Sequence, residues 1–174
     1  PTNRNFLLAL DVSGSMSMGK VGGVPGLSPR EASAAMALVT AATEPNYEIF
    51  GFSTRFERLN ITPKMRLDQA TKVVSNLPFS GTDCSLPVQY ADQQGLDVDT
   101  FIVYTDSETY AGHIHPFQAL KKYRAKTGKF SKLIVVGMVS NGFTIADPND
   151  RGSLDVVGFD SSVPEIIRSF TLQD

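Results

Sequence analysis

Alternating strand and helix patterns predict an α/β fold for this chain: a doubly wound, mainly parallel sheet with helices on both faces. Short apolar runs recur along the 174 residues, and amphipathic helical patterns separate them. The runs are apolar at nearly every position, as in parallel strands that are buried on both faces. A chain of this length suits one hydrophobic core, so we expect residues 1–174 to form one domain.

The chain begins with a predicted buried strand, Asn5–Val12, which a glycine-rich segment follows. The next sequence, Ser28-Pro29-Arg30-Glu31, is a capping-box pattern, with the serine as helix cap and the proline as first helical residue. Apolar residues at helical spacing continue from there to about Thr43. These patterns predict the first strand and the first helix of the fold.

Four further elements are predicted in the middle of the chain. Tyr47–Ser53 is predicted to be a strand, and Phe56–Ile61 a short antiparallel strand at an edge of the sheet. Met65–Leu77 has apolar residues at helical spacing, and a short helix is predicted at Leu86–Gln94.

The last part of the chain repeats the alternation. Strands are predicted at Thr100–Thr105, Lys132–Val139 and Leu154–Phe159, and helices at Pro116–Thr127 and Pro164–Phe170. Such alternation is typical of crossover units, in which a helix connects two parallel strands.

The composition is that of a soluble globular protein, with 41% hydrophobic and 20% charged residues. A formal net charge of -2 gives no global attraction to nucleic acid or to anionic membranes. No apolar run is long enough to span a bilayer, so we expect no membrane partner. The single cysteine, Cys84, rules out an internal disulfide, and we expect a reducing, cytoplasmic location. The start at Pro1 fits an excised domain or removal of an initiator Met.

Oxygen-bearing side chains follow two of the apolar strands. Asp11, Ser13 and Ser15 follow the first strand in the pattern Asp-Val-Ser-Gly-Ser, and Asp106 follows Thr100–Thr105. Doubly wound sheets bind ligands beyond the carboxyl ends of their strands, where the strand order reverses. We therefore expect Asp11 and Asp106 to share one crevice, although they are distant in the sequence.

A loop between these two segments adds Thr82 to the candidate site. Mg²⁺ prefers six oxygen ligands and usually keeps some waters. Ser13, Ser15 and Thr82 can bind through their hydroxyls, and Asp11 and Asp106 either directly or through water. Because hydroxyls carry no charge, the ion would seek an anionic oxygen from a partner. The sequence thus predicts a site for Mg²⁺, or for another divalent cation such as Mn²⁺ or Ca²⁺.

Taken alone, the Asp-Val-Ser-Gly-Ser segment also matches a polar turn, because Asp and Ser hydrogen-bond the local backbone. Thr82 and Asp106 each lie in a loop that can reach the same edge of the sheet, which favours the metal site over the turn.

The five residues Asp11, Ser13, Ser15, Thr82 and Asp106 resemble the metal-ion-dependent adhesion site (MIDAS) of von Willebrand factor A domains. That motif is DxSxS, a threonine in a second loop and an aspartate in a third. The resemblance implies a Rossmann-like, doubly wound fold with the ion at the top of the sheet. It also implies that the three hydroxyls bind the ion directly, while the two carboxylates act mainly through water or alternate with the threonine.

Three longer stretches resemble the A domain of the Ro ribonucleoprotein autoantigen family, called TROVE: Phe79–Pro87, Thr100–Ala111 and Ser140–Asp160. The resemblance implies a parent protein that binds Y RNA and misfolded small RNA through a ring of helical repeats, which is absent from this chain. For the chain itself it implies the metal site and a partner-binding role in quality control of small non-coding RNA.

Other chemistry-bearing residues have a structural and a functional interpretation. Cys84 suits a small buried residue under the metal loop, or a nucleophile paired with a histidine. His113 and His115 suit entry into the helix at Pro116, or a metal pair. A basic cluster suits a solvated helix face, or a surface that contacts phosphates. Its members are Lys121, Lys122, Arg124, Lys126, Lys129 and Lys132.

Three functions remain open from the sequence. The preferred one is a non-enzymatic binding module in which the metal accepts an acidic oxygen from a protein or another ligand. The second is a phosphatase-like hydrolase, although such enzymes usually carry a second carboxylate where this chain has Ser13. The third is a structural interaction domain in which the metal only stabilises the loops.

Overall fold

The computed structural model describes residues 4–11, 29–52, 56–59, 61–66, 69–70, 72, 85–105, 116–137, 150–157 and 163–172. Within these ranges the strands are β1 (Phe6–Asp11), β2 (Tyr47–Phe52), β3 (Phe56–Arg58), β4 (Thr100–Thr105), β5 (Lys132–Gly137) and β6 (Ser153–Val157). The helices are α1 (Pro29–Thr43), α2 (Leu86–Gln94), α3 (Pro116–Thr127) and α4 (Val163–Leu172).

The strands form one sheet in the order β3-β2-β1-β4-β5-β6. All neighbouring pairs are parallel except β2 and β3, which are antiparallel. This arrangement confirms the predicted doubly wound, mainly parallel sheet and its antiparallel edge strand. The chain builds the sheet outward from β1 in both directions, so the strand order reverses between β1 and β4.

The predicted bounds agree closely with the structure where both are described. The helix Leu86–Gln94, the strand Thr100–Thr105 and the helix Pro116–Thr127 have the predicted ends. The predicted helix Met65–Leu77 starts too early, because its first two residues are not helical. Residues 69, 70 and 72 are helical, and most other residues of the predicted helix lie outside the described ranges. The predicted helix cap at position 28 also lies outside them.

Two hydrophobic layers cover the two faces of the sheet, as the alternation of side chains along a strand requires. On one face, Leu8 and Ile102 pack with residues of α1 and α4 such as Ala37 and Ile167. On the other face, Leu7, Ala9, Phe101 and Val103 pack with Val88 and Ala91 of α2 and Leu120 and Tyr123 of α3. Both faces are therefore buried, and the strands are apolar on both sides.

The basic cluster is only partly a solvated helix face. Lys121, Lys122 and Lys126 are exposed, while Leu120 and Tyr123 of the same helix are buried. Lys132, also a member of the cluster, begins the predicted buried strand Lys132–Val139. The residue is 7% exposed, and its Nζ donates to the carbonyl oxygens of Phe170 and Thr171 at 2.6 and 3.1 Å. The last turn of α4 provides the acceptors that make burial of this ammonium group favourable.

Candidate metal site at the switch point of the sheet

The carboxyl ends of β1 and β4 lie side by side at the point where the strand order reverses. Parallel pairing sets Leu10 opposite Tyr104, and the next residues, Asp11 and Thr105, end the two strands. In open α/β sheets this position is the usual place for a ligand. The structure therefore places Asp11 where the sequence predicted a site.

Asp11 and Thr105 are joined by a short hydrogen bond. The Oγ1 atom of Thr105 donates to Oδ2 of Asp11 at 2.5 Å. Both residues have no solvent-exposed surface. An O–H···O⁻ bond of this length is typical of a hydroxyl that donates to an ionised carboxylate. The two strand ends are thus tied through their side chains as well as through the sheet.

Of the five predicted metal ligands, the structure describes one. Asp11 lies at the predicted edge, whereas Ser13, Ser15, Thr82 and Asp106 lie outside the described residues. Among the residues that are described, no three His, Cys, Asp or Glu side chains come together as a metal site. The coordination of one ion by the five residues stays a prediction. The same holds for Cys84, His113 and His115, which also lie outside the described ranges.

α2 follows the loop that carries Thr82, and its amino end faces the carboxyl ends of β1 and β4. α2 leads into a segment that lies beside the amino ends of β1 and β4: the Nδ2 atom of Asn5 donates to the carbonyl oxygen of Asp97 at 3.0 Å, and the amide of Asp99 donates to the carbonyl oxygen of Asn5 at 2.9 Å. Its first turn therefore points toward the carboxyl ends of the strands. Ser85, which is buried, precedes this turn, and its Oγ accepts a hydrogen bond of 2.5 Å from Gln89. The start of α2 thus fixes the position of the chain at Ser85, three residues after Thr82 in the sequence.

Sequence reasoning missed Thr105. A threonine at the end of an apolar strand carries little information, because threonine is common in strands. Its significance comes from the strand order and register, which set it beside Asp11 rather than beside another residue. The one available signal was its position directly before Asp106.

Ion pairs offset much of the basic cluster at the surface of α3 and the segment that follows it. Lys126 pairs with Asp92 at 3.0 Å, and Lys129 pairs with Asp99 at 2.9 Å and with Asp97. Burial alone would raise the pKa of Asp99, but hydrogen bonds from the Asn5 amide and from Lys129 outweigh burial and lower it. These cations are therefore engaged within the domain, which weakens the phosphate-contacting interpretation.

A largely buried ion pair between Arg124 and Asp150 closes the turn before β6. Arg124 lies 2.9 Å from Oδ2 of Asp150, which also accepts a hydrogen bond of 2.6 Å from Ser153. Burial alone would raise the pKa of Asp150, but the contacts with Arg124, Ser153 and the Gly152 amide together lower it. The guanidinium also stacks on Phe130, 4.1 Å from the ring centroid.

Comparison with known proteins identifies the family of the chain. The family described as the Ro60 vWA domain matches residues 5–171. The chain belongs to this family. The RNA-binding protein RO60 of Deinococcus radiodurans is 51% identical over 170 residues, which are 98% of this chain and 32% of the relative. RO60 of Caenorhabditis elegans is 44% identical over 171 residues, 98% of this chain and 26% of the relative.

Solved structures agree with the family and the fold. The crystal structure of the Deinococcus radiodurans RO (RSR) protein has a TM-score of 0.90 and 51% identity, and the match covers 98% of this chain and 34% of that one. Manganese-loaded Plasmodium vivax TRAP protein has a TM-score of 0.58 at 17% identity, over 98% of this chain and 74% of that one, and shows the fold alone. The predicted resemblance to the A domain of the Ro family is therefore confirmed.

This Ro60-type vWA domain spans about a third or less of the curated relatives that it matches. Those relatives are named as RNA-binding proteins and not as enzymes. Within the part of the chain that the structure describes, no helix combines the length and the apolar character needed to cross a membrane.

Proposed function

We propose that this domain is a metal-dependent binding module of a Ro-type RNA-binding protein. A divalent cation, Mg²⁺ or alternatively Mn²⁺ or Ca²⁺, is held by Asp11, Ser13, Ser15, Thr82 and Asp106. It accepts an acidic oxygen from a partner protein or another ligand. The observation that carries this proposal is the position of Asp11, a fully buried carboxylate at the switch point of the sheet.

The chemistry of the residues fits a hard cation. An ionised carboxylate is costly to bury unless hydrogen bonds, an opposite charge or a metal ion offset the loss of hydration. Asp11 is buried, and its Oδ2 accepts one such hydrogen bond from the hydroxyl of Thr105. The remaining members of the predicted set supply oxygen atoms, which are the ligands that Mg²⁺ prefers.

The predominance of hydroxyls in the predicted set suits binding better than hydrolysis. A phosphatase-like site needs a general acid or base near the nucleophilic carboxylate, and position 13 is a serine. An ion with neutral direct ligands keeps a strong attraction for an external carboxylate. This attraction supplies the recognition step of the proposed module, without catalysis.

We place this module in a larger protein that handles RNA. The relatives carry two thirds or more of their length outside the matched region and are named for RNA binding. In this proposal a ring of helical repeats, absent from this chain, binds Y RNA and misfolded small RNA during quality control in the cytoplasm. The domain then serves as the accessory module that recruits an acidic partner.

Calorimetric titration with MgCl₂ and MnCl₂ tests the metal site. We expect saturable binding to the wild-type domain and loss of binding in Asp11→Asn, which keeps the volume of the side chain. Asp97→Asn is the matched control, because Asp97 is 70% exposed and lies at the opposite edge of the sheet. Absence of binding by the wild type, or equal binding by Asp11→Asn, would overturn the proposal.

Two further measurements separate the alternatives. Acetate serves as a carboxylate probe, and we expect the metal-loaded domain to bind it and EDTA to abolish this binding. Turnover of p-nitrophenyl phosphate that requires both Mg²⁺ and Asp11 would favour the hydrolase instead. A gain in thermal stability with Mg²⁺, without any binding of acetate or of acidic peptides, would favour the structural domain.

A further inference from the structure

We propose that Thr105 is a positioning residue of the metal site: its hydroxyl fixes the Asp11 carboxylate and thereby the spacing between Asp11 and the strand end that precedes Asp106. This inference rests on the proposed function and goes beyond the five predicted ligands. Its basis is the 2.5 Å hydrogen bond between Thr105 Oγ1 and Asp11 Oδ2.

The bond restricts the carboxylate strongly. A carboxylate offers about four lone-pair positions, and the hydroxyl of Thr105 occupies one of them. Rotation of the Asp11 carboxylate would break a charge-assisted bond in a place where neither residue contacts solvent. Because water cannot replace the lost donor there, the orientation of the carboxylate is fixed before an ion arrives.

Thr105 is itself held firmly. It is a β-branched residue within a strand, so few side-chain rotamers are open to it. Its backbone pairs in parallel with Gly137 of β5, and the residues before it pair with β1. The hydroxyl therefore has a defined position, set by the two neighbours of β4 in the sheet.

The bond also connects two segments that carry predicted ligands. Asp11 starts the segment that leads to Ser13 and Ser15, and Thr105 directly precedes Asp106. A side-chain bond across the β1–β4 pair therefore fixes the distance between the starting points of both loops. Support of a ligand by a hydrogen-bonding neighbour typically changes metal affinity about 10–100-fold.

The other end of β4 provides a matched control. Thr100 is also fully buried, and its hydroxyl lies 3.4 Å from Oγ1 of Thr171, near the end of α4. Thr100→Val makes the same chemical change in the same strand, far from Asp11. Any effect that comes merely from replacing a buried threonine by valine appears in both variants.

The test is titration of the metal alone into four proteins: wild type, Thr105→Val, Thr105→Ser and Thr100→Val. We expect Thr105→Val to weaken Mn²⁺ binding about 10–100-fold. Thr105→Ser, which keeps the hydroxyl, and Thr100→Val should bind as the wild type does. Paramagnetic resonance of bound Mn²⁺ gives a second readout, a changed zero-field splitting in Thr105→Val alone.

The outcomes separate this inference from the proposed function. Absence of metal binding by the wild type overturns the proposed function. Metal binding by the wild type with equal affinity in Thr105→Val overturns the positioning role alone. If Thr105→Val does not fold, Thr105→Cys takes its place beside Thr105→Ser. These two variants differ only in carrying a thiol or a hydroxyl, and the thiol is the weaker hydrogen-bonding group. Equal Mn²⁺ affinity of the two variants likewise overturns the positioning role of Thr105.

Discussion

The Nζ atom of Lys132 lies 2.6 Å from the carbonyl oxygen of Phe170 and 5.3 Å from the centroid of the Phe170 ring. A lysine at the start of β5 thereby closes the end of α4. The contact joins an inner strand to the last helix of the domain. The contribution of this contact to the free energy of unfolding can be measured, because Lys132→Met removes the donor and keeps the apolar part of the side chain.

We expect Lys132→Met to lower the free energy of unfolding by about 1–3 kcal/mol, since two carbonyl oxygens at a buried helix end lose their donor. Urea unfolding followed by circular dichroism measures the change. Lys122→Met is the control: this side chain is 72% exposed, and its loss should change stability by about 0.5 kcal/mol or less. Equal stability of the two variants would contradict a structural role for Lys132.

The lowered pKa values of Asp99 and Asp150 predict that the domain loses stability in acid. Each has a lowered pKa in the folded protein, so the folded state favours the ionised form more than the unfolded state does. Their contribution is complete above the ordinary pKa of aspartate, about 3.9, and is lost as pH falls through the lower folded-state pKa. The free energy of unfolding should therefore fall steeply below about pH 4.

Asp150→Asn removes one of these carboxylates and should flatten that acid dependence. At neutral pH the variant should be less stable by about 2 kcal/mol, because Arg124 loses its buried partner. Urea unfolding at a series of pH values measures both effects. Asp97→Asn, at a carboxylate that is 70% exposed, is the control. An acid dependence in Asp150→Asn as steep as that of the wild type would refute the prediction.

An added side chain at Gly152 is predicted to collide with Arg124 and Phe130. An added Cβ would lie 2.5 Å from Nη2 of Arg124 and 2.6 and 2.8 Å from two atoms of the Phe130 ring. The guanidinium can move only at the expense of its pair with Asp150. We expect Gly152→Ala to cost about 1–3 kcal/mol of stability, as overpacking does.

A double-mutant cycle checks the cause of that cost. Phe130 is 45% exposed, so Phe130→Ala alone should have a small effect. The double variant Gly152→Ala/Phe130→Ala should recover part of the loss, because the ring no longer occupies the space. Thermal or urea denaturation of the four proteins gives the coupling. Strict additivity would show that the ring is not the obstacle.

Divalent metal should stabilise the folded domain by linkage. At a free Mg²⁺ concentration about 100 times the dissociation constant, the expected gain is about 2.7 kcal/mol. Differential scanning fluorimetry with MgCl₂ and with EDTA measures the shift. The gain should vanish in Asp11→Asn and persist in Thr100→Val. A gain of equal size in Asp11→Asn would mean that the ion binds elsewhere.

The sequence predicted much of the fold because local patterns are strong here. Strands such as Thr100–Thr105 are apolar at nearly every position, and the helix Pro116–Thr127 begins at a proline. The predicted helix at Met65–Leu77 began too early, because apolar spacing alone does not define the first residue of a helix. The partners of Lys132 could not be predicted for a different reason: its acceptors belong to α4, which is distant in the sequence.

The sequence by itself determined the order of the elements, the edge of the sheet where Asp11 lies, and the family. Those conclusions depend on local periodicity and on residues that are close together in the chain. Only the tertiary structure decided that β1 and β4 are neighbours, that Thr105 binds Asp11, and that Lys132 caps α4. Each of these depends on strand order and on packing across the sheet, which bring together residues about 40 to 100 positions apart that no local pattern connects.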